Sequence, residues 1–247
     1  MDNKQIPPSG PLTESDSYSP SAIYFDGTYM DGNQTWHAED SPWKAKQIAR
    51  ILRRNKLNPA SVCEVGCGAG EILVQLSSSF ADTTFVGYER SPQAMAMCQS
   101  KETPKVSYRM RDIFEDPEVF DCLLCIDVFE HVDDYMGFLR KLRTKSRYKV
   151  FHIPLDVSVF SVLNSSMLHA RQSVGHLHYF TRETAIATLI DCGYTIVDGF
   201  FTAPFAGLAV KSLKSRIAKI PRKALFSISP AIAARTLGAC AYLVLAE

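Results

Sequence analysis

Apolar residues recur along the chain with two alternating periods. Ala45, Ile48, Ala49 and Leu52 fall at i, i+3, i+4 and i+7, one face of a helix that opens at Ser41-Pro42, a serine cap followed by a proline in the first turn. Val62 to Val65 form a β-type run, and Ile72, Leu73, Leu76 and Phe80 then return to helical spacing. The alternation continues with a strand over 84–88, a helix over 92–100 that turns Ala94, Met95 and Cys98 to one side, and a strand over 106–110. A continuous apolar run over 122–126 suits a strand buried on both faces of a parallel sheet. Helical spacing at Tyr135, Phe138, Leu139 and Leu142 follows, then a strand over 148–153. A helix capped by Thr181 and stopped by Gly193 precedes strands over 194–200 and 239–246. Strands alternating with helices predict an α/β fold.

Four stretches do not fit the alternation. Residues 1–20 are rich in Pro, Ser, Gly and Asp and predict a mobile tail; 21–58 carry an aromatic segment and the first helix. Trp36, His37 and Trp43 lie at that helix's entrance, either stapling it to the core or forming an aromatic lid. Residues 155–180 are too long for a simple connection and predict a substrate loop leaving a strand's carboxyl end. Residues 201–238 insert apolar and basic residues, punctuated by proline, before the last strand of the core, 59–200 plus 239–247. Two readings of 201–235 compete: an amphipathic segment that sits on anionic lipid or binds an anionic substrate, and, the one favoured, a helical extension covering the sheet edge or forming a dimer.

Composition narrows the class. With 46% hydrophobic and 21% charged residues and a net charge of +1, nothing global recruits nucleic acid. Seven cysteines, several in strand-like runs, read as buried free thiols of a reducing, cytoplasmic compartment. Cys122 and Cys125 point to opposite faces of a strand and lack a second pair for zinc. The start, Met1-Asp2-Asn3-Lys4, is not that of a signal peptide, and no apolar run reaches membrane-spanning length.

The chemistry centres on Glu64-Val65-Gly66-Cys67-Gly68-Ala69-Gly70-Glu71, between the first strand and its helix. Glycine there tolerates positive φ and lets a ligand lie against the backbone. The dinucleotide fingerprint, Gly-x-Gly-x-x-Gly, would need its third glycine at 71, which is a glutamate. Two carboxylates flanking the turn repel a phosphate and suit a cation joined to a ribose. Glu89, about twenty residues on at the end of the second strand, is placed to accept both ribose hydroxyls, with Arg90 beside it. The fourth strand runs into Asp127-Val128-Phe129-Glu130-His131-Val132, at the sheet end where open α/β folds bind ligands.

The acidic residue with Gly-x-Gly-x-Gly resembles the first motif of class I methyltransferases that use S-adenosylmethionine. Asp127 to Val132 resembles the fourth-strand motif of the small-molecule members, the ubiquinone-pathway O-methyltransferases among them. Gly175-His176-Leu177-His178-Tyr179-Phe180-Thr181 resembles a Gly-His…Phe-Thr step of the same enzymes. The resemblance covers roughly 41–200 and 240–247. It implies a Rossmann-like sheet of seven mostly parallel strands, the last antiparallel, with helices on both faces. It also implies S-adenosyl-L-methionine held by Glu64, Gly66, Cys67, Gly68, Gly70, Glu89, Arg90, Asp127 and Val128, with Asp112 and Ile113 at the adenine.

Methyl transfer to a hydroxyl requires proton removal, for which a histidine titrating near neutrality is the natural base. His176 is the first candidate and His131 the second; His178, on the face of His176 if that segment is extended, and Tyr179 are expected at the substrate. Glu130, His131 and Asp134 form a secondary candidate set for a divalent metal, helix capping being the commoner role of such residues. No Asn/Asp-Pro-Pro-aromatic step is present to stack a flipped base. The expected acceptor is an oxygen, less readily a nitrogen, of a small, glycan-like or lipid-linked molecule. A catalytically silent adenosyl-ligand binding module and an NAD-dependent oxidoreductase are the alternatives.

Overall fold

The structure, a computed structural model, describes residues 23–207 and 213–247, so the predicted tail lies outside the described residues. A short helix α1 (Thr28–Gly32) precedes α2 (Ser41–Arg54), after which strands and helices alternate: β1 (Ser61–Val65), α3 (Glu71–Ser77), β2 (Thr84–Glu89), α4 (Pro92–Gln99), β3 (Val106–Met110), β4 (Phe120–Ile126) and α5 (Tyr135–Leu142). Then come β5 (Ser146–Leu155), α6 (Val159–Leu163), α7 (Ser166–Val174), α8 (Arg182–Asp191), β6 (Ile196–Thr202), α9 (Pro204–Gly207), α10 (Leu213–Ile228), α11 (Pro230–Thr236) and β7 (Cys240–Ala246).

The seven strands form one sheet in the order β3-β2-β1-β4-β5-β7-β6, and β7 runs antiparallel to both its neighbours. The order reverses between β1 and β4, the switch point at which open α/β sheets leave a crevice beyond the strands' carboxyl ends. Alternation along β4 sends Cys122 and Leu124 into the core under α2 and α3, and Leu123 and Cys125 into the core under α5 and α8. All seven cysteines are free and buried.

Two stretches differ from the sequence pattern. Strand β5 continues through Pro154, which would end a central strand; here β4 has finished at Ile126 opposite His152, so the missing N–H has no ladder partner to lose on that side. Residues 155–180, expected as a loop, hold α6 and α7, and a reciprocal Ser158–Ser161 capping box starts α6. In 201–238, α9 to α11 close over the end of β5 and β7. Phe201, Phe205, Phe226 and Tyr242 pack there around Leu155, Ala234 and Cys240.

Candidate active site

The turn after β1 is held in the left-handed region at all three glycines, with φ of 64°, 54° and 76° at Gly66, Gly68 and Gly70. A Cβ on Gly70 would stand 2.5 Å from the Tyr108 ring, whose hydroxyl donates to the Gly70 carbonyl at 2.7 Å. The Gly68 N–H donates to Glu89 Oε2 at 2.9 Å, and Glu89 Oε1 accepts from the N–H groups of Arg90 and Ser91, each at 2.8 Å. Burial raises the Glu89 carboxyl above its ordinary range, and these three donors oppose it. Glu64 is only 2% exposed, and burial pushes its carboxyl far up. Its Oε2 has no hydrogen-bond partner among the described residues.

Glu64, Gly66, Gly68, Glu89, Arg90 and Ser91 line a cavity of about 580 Å³, within the range of small-molecule sites. Its N-terminal wall is aromatic: Tyr29 stands 4.9 Å from Tyr24 and 4.7 Å from Trp36, ring centre to centre. Trp36 and His37 both take left-handed backbone, unfavourable for non-glycine residues by about 1–2 kcal/mol each, and the buried Trp36 Nε1 has no partner among the described residues.

The opposite wall is built at the ends of β4 and β5. Asp127 adopts a φ of 54°, its Oδ2 meeting Lys44 Nζ at 2.9 Å and its Oδ1 meeting His152 Nδ1 at 2.6 Å. Burial alone would raise the Asp127 carboxyl; His152 and Lys44 outweigh it and hold it well below the usual carboxylate range. The other ring nitrogen of His152 reaches Thr202 Oγ1 at 2.9 Å.

Next to this network, His131 and His176 stand 4.9 Å apart, ring centre to centre. The carbonyl of Glu130 accepts from the N–H groups of both Leu177 and His178, which draws the segment after α7 against the end of β4. His176 Nδ1 lies 2.6 Å from Asp156 Oδ2, a contact that fixes the Nδ1–H tautomer and leaves Nε2 as the basic nitrogen. His131 Nδ1 lies 2.8 Å from Tyr24 Oη and 3.1 Å from the Gly175 carbonyl, while the Tyr24 hydroxyl donates to the Val174 carbonyl. Burial, reinforced by His176, pushes the His131 imidazole down to about 4, so it is neutral at neutral pH. Glu130 is fully buried with neither carboxyl oxygen hydrogen-bonded among the described residues, Oε1 lying 3.8 Å from His131 Nε2, and burial raises its carboxyl well above the usual range. Donor atoms of Glu130, His131 and His176 lie within 4.8 Å of one another, the set here that could hold a divalent metal.

Of the residues singled out in the sequence, Glu64, Gly66, Cys67, Gly68, Glu89, Arg90, Asp127, Val128, His131 and His176 line this cavity, as do Trp36, His37 and Trp43. Gly70 shapes the turn from behind. Asp112 and Ile113 are not brought to the cavity: the Asp112 carboxylate accepts from the Phe114 N–H at 3.0 Å, and Ile113 is buried in the core. His178 is also off the cavity, donating to the Val132 carbonyl at 3.0 Å with its ring against Tyr135. Two successive N–H groups converge on one carbonyl there, so the segment is not extended and His176 and His178 do not share a face. Tyr179 is half-buried and does not line the cavity. Asp134 caps α5 through the Gly137 N–H and is not in the metal-competent set. Lys44, His152, Asp156, Tyr24 and Tyr29 also line the cavity and carry no site role in the reading of the sequence, where the two tyrosines belong only to the aromatic segment. Their signals were a polar residue inside the apolar run of β5, an acid two residues past Pro154, and an aromatic segment without a period.

A glycine cradle at the switch point, an acidic residue at the carboxyl end of each of β1, β2 and β4, and an antiparallel last strand define the class I S-adenosylmethionine-dependent methyltransferase fold. The profile of a methyltransferase domain family matches residues 36–198, and the chain belongs to that family. It is 26% identical over 117 residues to the ubiquinone biosynthesis O-methyltransferase of Rickettsia typhi, a match spanning 46% of this chain and 45% of that protein. It is 29% identical over 83 residues to the trans-aconitate 2-methyltransferase of Deinococcus radiodurans, across 34% and 32% of the two chains. The matches thus span less than half the length of these relatives. Among solved structures, magnesium protoporphyrin IX methyltransferase from Synechocystis PCC 6803 with bound SAH superposes with a TM-score of 0.63 at 12% identity, covering 93% of this chain and 100% of that one, a likeness of fold. Family membership removes the dinucleotide reading of the glycine turn. The Glu64 Oε2, unbonded among the described residues, and the open backbone of Gly68 are features an adenosyl cofactor bearing a sulfonium and an ammonium would use.

Proposed function

We propose that the protein transfers a methyl group from S-adenosylmethionine to an oxygen of a small or glycan-like acceptor, with His176 as general base. The observation that carries this reading is the 2.6 Å pair of His176 and Asp156 in the wall of the same cavity as the glycine turn. When bound, the cofactor supplies a methyl carbon activated by its sulfonium; the rest falls to the chain. Glu89 accepts from the ribose hydroxyls, the Gly68 backbone allows close approach, and a bound cation would favour the ionised form of Glu64, which burial otherwise keeps protonated, beside the charged Asp127. Lys44, deep in the cavity beside Asp127, serves its carboxylate. The faces of Tyr29 and Trp36 favour a sulfonium by cation–π attraction and exclude water.

His176 Nε2 would take the proton of the acceptor hydroxyl, the bound cofactor would supply the methyl group with its carbon–sulfur bond broken and S-adenosylhomocysteine left behind, and Asp156, accepting from Nδ1–H, stabilises the imidazolium. His131, neutral and committed through Nδ1 to Tyr24 and Gly175, is the weaker base and orients the acceptor. An amine acceptor can reach the reaction already deprotonated, so a histidine–carboxylate pair favours oxygen over nitrogen.

Calorimetric titration with S-adenosylmethionine, S-adenosylhomocysteine and NAD, then an acceptor screen with labelled methyl groups, tests the reading. Binding of both adenosyl ligands without NAD, and label recovered on a hydroxylated acceptor, is expected. Binding without transfer to any acceptor would leave an adenosyl-binding module.

A further inference from the structure

Positive charge and exposed apolar area coincide on one part of this molecule. Residues 157–182 and 199–246 hold nine lysines and arginines and no aspartate or glutamate, in a chain whose 27 basic and 26 acidic residues nearly cancel as a whole; two of the nine, Arg182 and Arg235, pair with Glu183 at the start of α8. The first stretch forms α6 and α7; the second includes α10 and α11. They meet in space, since α11 packs against α6 and the Arg222 guanidinium lies 5.4 Å from the centre of the Phe160 ring.

Outward from this cap stand Val159, Phe160, Val162 and Leu163 of α6, the last 81% exposed, with Ile220 and Ile228 of α10, the latter 82% exposed, and Ile232 of α11. These are not core residues left over from poor packing. The inner side of the cap has its own apolar cluster around Leu155, Ala234 and Cys240, and the Ser158–Ser161 box holds α6 in place. Exposed aliphatic residues in such number mark a contact surface. Charge decides what it contacts: an anionic bilayer offers a hydrocarbon boundary for the aliphatic side chains and a negative headgroup layer for the cations.

We propose that α6, α10 and α11 dock the protein on the surface of a bilayer containing anionic phospholipid. Leu163 and Ile228 enter the acyl boundary, and Lys223 and its basic neighbours lie among the headgroups. No helix among the described residues is long and apolar enough to cross a membrane, and the docking is peripheral. Val174 at the end of α7 and Phe205 of α9 line the cavity, so docking holds the cavity wall beside the lipid surface. Docking itself does not depend on the reaction assigned to the cavity.

The test is co-sedimentation of the full chain with vesicles of phosphatidylglycerol mixed with phosphatidylcholine, against vesicles of phosphatidylcholine alone. The protein is expected to sediment with the first and not the second, and to be released by salt. V162E/L163E and I228E should each lower the bound fraction about tenfold, and K223E about fivefold or more. All three should keep the parent's melting temperature and cofactor affinity. Equal sedimentation with both vesicle types, or undiminished binding by V162E/L163E, would overturn the proposal. So would a dimer in solution that V162E/L163E dissociates, for the face would then belong to a second copy of the chain.

Discussion

The two walls of the cavity are made by different means. On the side of β1 and β2 the ligand-facing groups are backbone amides of one glycine turn, joined to Glu89 by the Gly68 N–H, all within one strand–helix–strand unit. On the side of β4 and β5 each polar side chain takes a partner from a separate segment: Asp127 from Lys44, His152 from Thr202, His131 from Tyr24, His176 from Asp156. A backbone-built wall tolerates side-chain changes wherever glycine is not required. A side-chain-built wall is a network in which one substitution strands a buried partner.

The contrast is broken most severely at the turn. Gly68→Val puts a branched side chain at a φ of 54° on the face toward Trp36, and calorimetry should find cofactor binding abolished. Binding within about threefold of the parent would remove the cofactor assignment. His176→Ala should lower turnover by about 10²–10⁴-fold while leaving cofactor affinity nearly unchanged; a rate near the parent's would transfer the base to His131. Asp156→Asn keeps the side chain's size but not its charge, and turnover should fall about 10–100-fold, again with cofactor affinity retained. A loss of affinity instead would make Asp156 part of the cofactor wall.

The effect that leaves chemistry untouched is read as stability against pH. The His131 imidazole titrates near 4 in the folded chain and near its ordinary 6.5 unfolded. Between those values the unfolded chain takes up a proton that the folded chain refuses, so stability falls as pH falls from 6.5 toward 4. His131→Asn should therefore lose less stability than the parent between neutral pH and pH 4, by about 3 kcal/mol in denaturant titrations. Parallel curves would mean that His131 is not held neutral by burial.

Most of the sheet was legible because parallel strands buried on both faces announce themselves as apolar runs, 122–126 above all, and because helix starts carry local signals: Thr181 caps α8 and Pro42 sits in the first turn of α2, although Ser41 is itself helical there, with Asp40 at the cap position and no side chain capping that end. The end of β5 was not, since Pro154 is acceptable only because β4 stops short of it. The helices α6 and α7 were hidden in a segment without a strong apolar period, having no buried apolar face to impose one.

At the site, the glycine turn, Glu89, Asp127 and His131 were readable because strand ends and turn residues occupy places that topology determines. His178 was misplaced because period-two reasoning requires an extended backbone, and the Glu130 carbonyl bends that segment. His152 and Lys44 were missed because their meaning lies in Asp127, a residue on another element.

What the sequence determined by itself was whatever depends on residues near one another along the chain: the α/β alternation, the left-handed turn of three glycines, and the carboxylates closing β1, β2 and β4. These follow from local backbone preference and from side-chain periodicity. The tertiary structure alone decided which histidine has a carboxylate behind it, which is held neutral, and which faces away. It also decided that Tyr24, 107 residues before His131 in sequence, closes the same cavity. Those outcomes rest on hydrogen bonds and burial between distant segments, and no local pattern specifies them until the sheet has set the strand ends side by side.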